Sequence, residues 1–427
     1  MPSQPASSAR RTTITTRPRW VMLGTLAAAL GLLSGQVADA NVTTAYTPDH
    51  VLTLAPGITH SSGTMRTNGD RIQAVQVATI DPSNPGVRVR ALLSNDHVVG
   101  TERPSQLADR KSVPGSLAMV ATNGDVSVAG GDGGYTAPHS LHVQGGEVMV
   151  SPPCTRPTLG VDANGKVRIG DVKVKVIVVA GNTTMKVKTV NMPRTWGGTV
   201  LYTPRFGART LTDANGTEVV LSVPDILRPH ATFMATVVAV RSGAGNTPLQ
   251  AGQMVLSASG SQAHALNGLK VGRQVSVSST VIVNKTNRCG PPLVEDPAWF
   301  DVTEALGGNY YDAHHGSVAA PSSAEYPKGS VPAPRTSVGV TADGHVLMVV
   351  VDGRQPGYSV GVTLAEMGQL MLHLGATDAI NLDGGGSTIM AVRKPGAAHI
   401  TVSDRPSDGR ERSLTQALAV FSISPTN

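Results

Sequence analysis

The sequence predicts an α+β protein, a β-rich mixed sheet with few helices and a C-terminal crossover of strand, helix and strand. Three observations carry this. Aromatic residues make up only 3% of the 427 and hydrophobic residues 40%, so the core must be assembled from Val, Ala, Leu and Ile, and the β-branched members favour a pleated surface. V-x-V alternation recurs, as in "IQAVQVATI" at 72–80 and "GVRVRALLS" at 86–94, at the two-residue period of a half-buried strand. The 47 glycines and 29 prolines supply turns at short intervals.

In chain order, Arg10, Arg11, Arg17 and Arg19 precede an apolar run from Trp20 to Leu33, and small residues then end at Ala38-Asp39-Ala40. That order predicts a secretory signal peptide over 1–40, hence export and cleavage. The run is shorter than the ~20 apolar residues a bilayer span needs, so no stable membrane span is expected after cleavage. Residues 41–70 read as an extended lead-in, and 71–427 as one domain. "ERPSQLADRK" at 102–111 reads as a short helix, and "HSLHVQGGEVMVSP" at 139–152 as a hairpin turning at Gly145-Gly146. Between 160 and 285 strands and turns alternate. "DANGK" at 162–166 and "DANGT" at 213–217 have the look of calcium loops, but lack the further oxygen ligands and are read as β-turns. Residues 288–333, rich in Pro, Gly and Ser, read as a loop-rich insertion.

The last hundred residues are the most legible. "HVLMVVVDG" from His345 is a nearly continuous apolar strand ending at Asp352. "TLAEMGQLMLHLG" from Thr363 is a helix: Thr363 and Glu366 form a capping box, and Leu364, Met367, Leu370, Met371 and Leu374 share a face. Gly375 supplies the stop. "AINL" at 379–382 is the next strand, then Asp383-Gly384-Gly385-Gly386-Ser387, then a strand "TIMAV". If the two strands flanking the helix are parallel in one sheet, Asp352 and Asp383 both leave its C-terminal edge, where ligands of such sheets gather.

Composition bounds the partners. The net charge of +6 includes four Arg against Asp39 in residues 1–40, so the mature part carries about half of the excess. No basic block with interleaved aromatics is present, and nucleic acid is excluded as a partner. Cys154 and Cys289 are the only cysteines. In an exported chain they either pair or remain two buried thiols, and neither has zinc-site spacing. His139 with His142, and His314 with His315, lack a third ligand at a usual spacing, so no metal is predicted. No cofactor is expected, although a divalent cation near Asp383 is compatible with its carboxylate.

The triple glycine asks for an anion, because glycines let backbone N–H groups turn toward one. "DGGGST" has no Lys before its Ser and follows the helix instead of preceding it, which argues against a nucleotide loop. Ser387 is not in a nucleophile elbow either. Arg335, at a strand start, is either a surface charge or a clamp for a phosphate oxygen. "NGD" at 123–125 and "SDGRER" at 407–412 read as turns when taken alone.

Together, "PRTSVGVTADG" at 334–344, the segment 349–390 ending in "NLDGGGSTIM", and "RPSDGRERSLTQALAVF" at 405–421 resemble the phosphodiester glycosidase family. Weaker similarity runs upstream through "TNGDVSV" at 122–128. Members usually carry two aromatics after this Asn-Gly-Asp, where this chain has Val126-Ser127, with Tyr135 following a glycine-rich stretch. The resemblance implies an exported hydrolase that cleaves a sugar 1-phosphodiester in an extracellular or envelope glycan. It implies Asp383 as the first choice of catalytic carboxylate, with Asp352 second and Glu411 third. Arg335, Thr336, Arg412 and the Gly384, Gly385, Gly386 and Ser387 loop would hold the phosphate, and Asn123 or Asp125 the sugar hydroxyls. A glycosidase without phosphate in its substrate and a non-catalytic carbohydrate-binding protein are the rival expectations.

Overall fold

The structure is a computed structural model that describes residues 46–67, 69–129, 135–194, 198–284 and 289–424. The expected signal peptide lies outside the described residues. Residues 42–427 form one compact unit. The described residues are β-rich, 50% strand and 11% helix, with three α-helices among them, as the apolar alternations predict.

Two sheets pack face to face. The first has eight strands in the order Tyr46–Ala55, Ile58–Thr67, Arg71–Ile80, Val346–Val351, Arg335–Thr341, Ala376–Asn381, Tyr310–His314 and Ser317–Val318. The second has five: Thr401–Val402, Met390–Val392, Ser116–Asn123, Gln416–Ile423 and Val87–Leu93. Inward side chains of both, among them Ile80, Val338, Met348 and Ile380 from the first and Val89, Val120, Met390 and Leu418 from the second, make one buried cluster. Helices cover the outer faces. Helix α1 (Pro104–Lys111) buries Leu107 and Ala108 against Ala121, Ala417 and Phe421. A second helix, α2 (Ser261–Asn267), belongs to the third sheet. Helix α3 (Leu364–His373) buries Met367, Leu370 and Met371 against Val77, Val349 and Ala379.

The third sheet has twelve strands, and an extra pairing of Val167–Ala180 with Gln274–Val283 closes part of it into a barrel. Every other residue of the long strand Val167–Ala180 points inward from Val172 onward. Val174, Val176 and Val178 thereby meet Val219, Val237, Leu256 and Val277 in the barrel core. A disulfide joins Cys154 to Cys289 across 135 residues, with Cα atoms 4.6 Å apart. "DANGK" and "DANGT" are turns in which Asp162 accepts from the N–H of Asn164 and Asp213 from that of Asn215, both at 2.9 Å.

The C-terminal crossover has the expected form. Thr363 accepts from the Glu366 N–H at 3.1 Å while Glu366 accepts from the Thr363 N–H at 2.8 Å, completing the capping box. Gly375 closes the helix at φ +97°. Strands Val346–Val351 and Ala376–Asn381 are both antiparallel to Arg335–Thr341, which lies between them. They therefore run parallel to each other, and Asp352 and Asp383 leave the same sheet edge.

Two segments differ from expectation, and the strand expected after the glycine loop joins a sheet that the sequence did not specify. The lead-in is a hairpin, Tyr46–Ala55 with Ile58–Thr67, whose second strand pairs along its length with Arg71–Ile80. Its Pro, Gly and His residues hide the period, and the first strand is mostly exposed. The loop-rich insertion holds Val302–Gly307 of the twelve-stranded sheet and Tyr310–His314 of the eight-stranded one, a hinge at Gly307-Gly308 too short to read as two strands. After Asp383 the chain makes a 3-10 turn at Gly385–Ser387, and the next strand, Met390–Val392, joins the second sheet instead of the first.

Candidate active site

Leu382, at the end of its strand, is fixed by its N–H donating to the Thr336 carbonyl at 2.9 Å, and the Asp383 N–H donates to the Gly124 carbonyl at 3.0 Å. Asn123 holds the loop from beneath. Its Nδ2 donates to the carbonyls of Asp383 (2.7 Å) and Gly124 (2.9 Å), and its Oδ1 accepts from the Thr336 hydroxyl (2.8 Å) and the Ile389 N–H (3.2 Å). Both residues are fully buried, so Asn123 and Thr336 position Asp383 and do not face a ligand. Asp383 Oδ1 accepts from the Gly384 N–H at 2.9 Å. Burial raises its pKa, against hydrogen bonds from Ser387 and Gly384 and the nearby Arg412 charge.

Each of the three glycines has a guanidinium laid against it. A methyl carbon placed on Gly384 would lie 3.8 Å from Arg335 Nη1, one on Gly385 would lie 2.8 Å from Arg354 Nη2, and one on Gly386 would overlap Arg412. Gly385 also sits at φ +64°, and Gly384 packs against the Pro334 carbonyl, which a Cβ would approach to 2.8 Å. A side chain on Gly385 or Gly386 would therefore displace Arg354 or Arg412, and one on Gly384 would meet the Pro334 carbonyl. Arg335 is locked in place, its Nε donating to the Val362 carbonyl (3.1 Å) and its Nη2 to those of Lys328 (2.9 Å) and Val331 (3.0 Å). That leaves Nη1 toward Gly384. Arg412 Nε donates to Asp408 Oδ2 at 2.5 Å, which offsets its charge.

Asp383 to Gly385, Arg335 and Arg354, but not Gly386 or Arg412, line a cleft of about 340 Å³ with Val126, Asn309, Tyr326 and Lys328. Tyr326 stacks on Tyr310 with ring centroids 5.0 Å apart, giving the wall an aromatic face. Asp125 lies behind Val126. Its carboxyl is buried, its Oδ2 accepts from the Ser140 hydroxyl, and its Oδ1 has no partner among the described residues. Burial pushes its pKa up to about 7; Ser140, the Val126 N–H and Arg156 oppose this, and the Asp383 charge adds to it. Arg156 in turn donates to Asn309 Oδ1 at 3.0 Å and contacts His139 Nε2 at 3.0 Å. The Asp383 charge thus reaches the buried Asp125, while Arg335 and Arg354 lie beside the glycines that follow Asp383.

Two expected catalytic residues are placed elsewhere. Asp352 leaves the same sheet edge as Asp383, but its carboxylate is buried, accepting from the Tyr358 hydroxyl (2.8 Å) and the Arg405 N–H (3.2 Å). It ties the 353–359 loop to the 405 segment and does not line the cleft. Glu411 accepts from the N–H of Ser105 (2.7 Å) and from its hydroxyl (2.6 Å), so both its oxygens serve the first turn of α1. Ser387 is buried at the turn beneath Asp383. Sequence reasoning missed Arg354, Lys328, Tyr326, Asn309 and Arg156. Arg354 had a signal in its place directly after Asp352-Gly353 at a strand end, but its φ of 59°, unusual for Arg, is visible only in the structure. Tyr326 and Lys328 lay in the stretch read as a loop.

Residues 230–421 match the family described as phosphodiester glycosidase, a span that includes Arg335, Arg354, Asp383 and Arg412 and excludes Asp125. Over 87 residues the chain is 37% identical to the SPbeta prophage-derived protein YomE of Bacillus subtilis, a match to 20% of this chain and 12% of that one. Among solved structures, a hypothetical protein from Synechocystis superposes with a TM-score of 0.68 at 21% identity. That alignment covers 86% of this chain and 62% of the other, so this chain spans less than two thirds of that protein. A candidate exported protein of Burkholderia pseudomallei gives 0.63 at 24% identity, covering 82% and 74%. The zebrafish N-acetylglucosamine-1-phosphodiester α-N-acetylglucosaminidase catalytic domain gives 0.40 at 12% identity, covering 90% of each chain. Among the described residues no helix is long and apolar enough to cross a membrane.

Proposed function

We propose that this protein is an exported hydrolase that cleaves a sugar 1-phosphodiester in an extracellular or envelope glycan. One observation carries the reading: three consecutive glycines after Asp383 each seat a guanidinium, so that a carboxylate and an anion clamp share one cleft. The family match over 230–421 supports the reaction class, and the charged, apolar, A-x-A order of residues 1–40 supports export.

In this reading the diester's non-bridging oxygens lie on Arg354 and Arg335 Nη1, with Lys328 at the rim, and the sugar ring lies toward Tyr326 and Asn309. The bond from C1 to the phosphate oxygen breaks, and its electron pair leaves with a phosphate monoester that gains negative charge. Arg335, held by three backbone carbonyls, stabilises that gain because it is fixed before the reaction begins, and the exposed Arg354 and Lys328 add charge. Asp383 faces the developing oxocarbenium charge at C1 and accepts the proton of the water that attacks there. Asp125, buried behind Val126, is neutral below about pH 7 and there adds no second negative charge near Asp383 and the anionic substrate.

The test is Asp383→Asn assayed on an N-acetylglucosamine 1-phosphodiester. Hydrolysis should fall by about 100-fold or more while circular dichroism and melting temperature stay near those of the parent. Near-normal turnover would remove Asp383 from the chemistry. Turnover of p-nitrophenyl glycosides in preference to the diester would remove the phosphate from the substrate.

A further inference from the structure

We propose that His314, His315 and Asp378 form a zinc site on the edge of the eight-stranded sheet, separate from the cleft. His314 ends the strand Tyr310–His314, His315 lies in the turn that follows, and Asp378 belongs to the neighbouring strand Ala376–Asn381. One ligand atom from each can be chosen so that all lie within 4.8 Å of one another. His314 Nδ1 is 2.7 Å from Asp378 Oδ1, and His315 Nδ1 is 4.0 Å from the same oxygen.

Successive residues of a strand point to opposite faces, so two adjacent histidines would ordinarily diverge. Here His315 adopts φ 51°, followed by Gly316 at φ 73°. The chain doubles back, and the two imidazoles sit with centroids 3.8 Å apart over one carboxylate. The first position of such a turn favours Asn, Asp or Gly; this chain places a metal-ligating side chain there. Tyr311 packs on the His314 ring at 4.3 Å and fixes its plane. The Gly316 N–H donates to the Thr377 carbonyl at 2.9 Å, tying the turn to the Asp378 strand. Asp378 already accepts from the His315 N–H at 3.1 Å. Turn closure alone would account for that bond and for one imidazole, but not for the second.

Two imidazole nitrogens and one carboxylate oxygen are the donor set of zinc sites that keep a position for water, and they disfavour calcium and magnesium. The His315 side chain is 82% exposed and His314 35%, so an ion can enter from solvent. Bound there, it would cross-link a short edge hairpin to the strand that ends in Asp383, about 16 Å further along at ~3.3 Å per residue.

The experiment uses the mature chain without a histidine tag, stripped with chelator and titrated with zinc chloride by calorimetry and thermal denaturation. One ion per chain should bind with a micromolar or lower dissociation constant and raise the melting temperature, whereas magnesium chloride should do neither. His315→Ala, an exposed turn residue, and Asp378→Asn, which keeps a hydrogen-bond acceptor, should each weaken binding by more than the roughly 10- to 100-fold that loss of an outer-shell partner costs. Absence of saturable binding up to millimolar zinc overturns the site, as does unchanged affinity in both variants. Neither readout depends on hydrolysis of any diester.

Discussion

At the scale of single residues, the glycine run and the arginines belong to one device. A lone glycine would suffice for the turn, since only Gly385 of the three takes a left-handed φ. Gly384 and Gly386 are required by what packs on them, the Pro334 carbonyl with Arg335 and the Arg412–Asp408 pair. Arg354 is the guanidinium with the fewest ties, and its φ of 59° aims it over Gly385. Arg354→Gln should therefore lower kcat/KM for a sugar phosphodiester by roughly tenfold to a hundredfold, the range of a lost charge-assisted hydrogen bond, while Tm is unchanged. An equal loss on an uncharged glycoside would assign Arg354 to general integrity instead. Asp125 sets the pH dependence. Burial raises its pKa to about 7, so the neutral form is present below that pH and is lost above it. The rate with diester should fall as pH rises through about 7, and Asp125→Asn, permanently neutral, should erase that limb. A wild-type profile flat from pH 6 to about 9 would remove Asp125 from the rate.

At the scale of elements, the parts that could be read were those whose signals are local. The α3 crossover is specified within thirteen residues by a capping box, an apolar face and a terminal glycine, and it placed Asp383 correctly at the sheet edge. Loss of the cap tests that economy: Thr363→Ala should cost about 1 kcal/mol in urea denaturation, and no measurable loss would mean that packing of Met367, Leu370 and Met371 alone holds the helix. What could not be read depends on partners distant in sequence. Nothing in "VKVKVIVVA" says that it pairs with 274–283 to close a barrel. Nothing local in "VVVDG" says that the Asp352 carboxylate turns to Tyr358 and Arg405 and away from the cleft. Glu411 likewise sits in a charged turn whose partner, Ser105, is 306 residues away. The carboxylates were legible as chemistry, and only their neighbours could sort them into one that lines the cleft and two that tie chain segments together.

At the scale of the whole molecule, the buried acids make stability depend on pH in a definite sense. Burial is the first cause of the raised pKa in Asp352, at about 6, in Asp125, Glu304 and Asp312, at about 7, and in Asp404, at about 8. Hydrogen bonds oppose it, including the N–H groups of Ala91 and Gly145 on Glu304 and that of Met390 on Asp404. In the unfolded chain these groups titrate near 4. A folded pKa above the unfolded one means that the folded state holds its proton longer. The stabilisation is complete below about pH 4 and is lost as pH rises through 6 to 8. Asp96 and Glu102 act in the opposite sense: burial opposes the shift, but Arg110, with Lys111 on Asp96, holds both below their usual range. Their contribution is present above pH ~4 and is lost on acidification. Above pH ~4 the raised set therefore pulls Tm down toward pH 8 by at most ~1.4 kcal/mol per pH unit for each titrating group, against His60, His139 and His142, whose pKa values burial lowers and whose contribution grows up to about pH 6.5. Asp404 has an Oδ2 without a partner among the described residues and Asp352 as an electrostatic neighbour, so it should contribute most on the alkaline side. Thermal denaturation from pH 4 to about 9 checks this, with Asp404→Asn as the comparison, because the amide cannot ionise and should flatten the decline. A wild-type Tm that is constant or rising between pH 5 and about 8 would mean that water reaches these carboxylates and that their burial does not govern the molecule's stability.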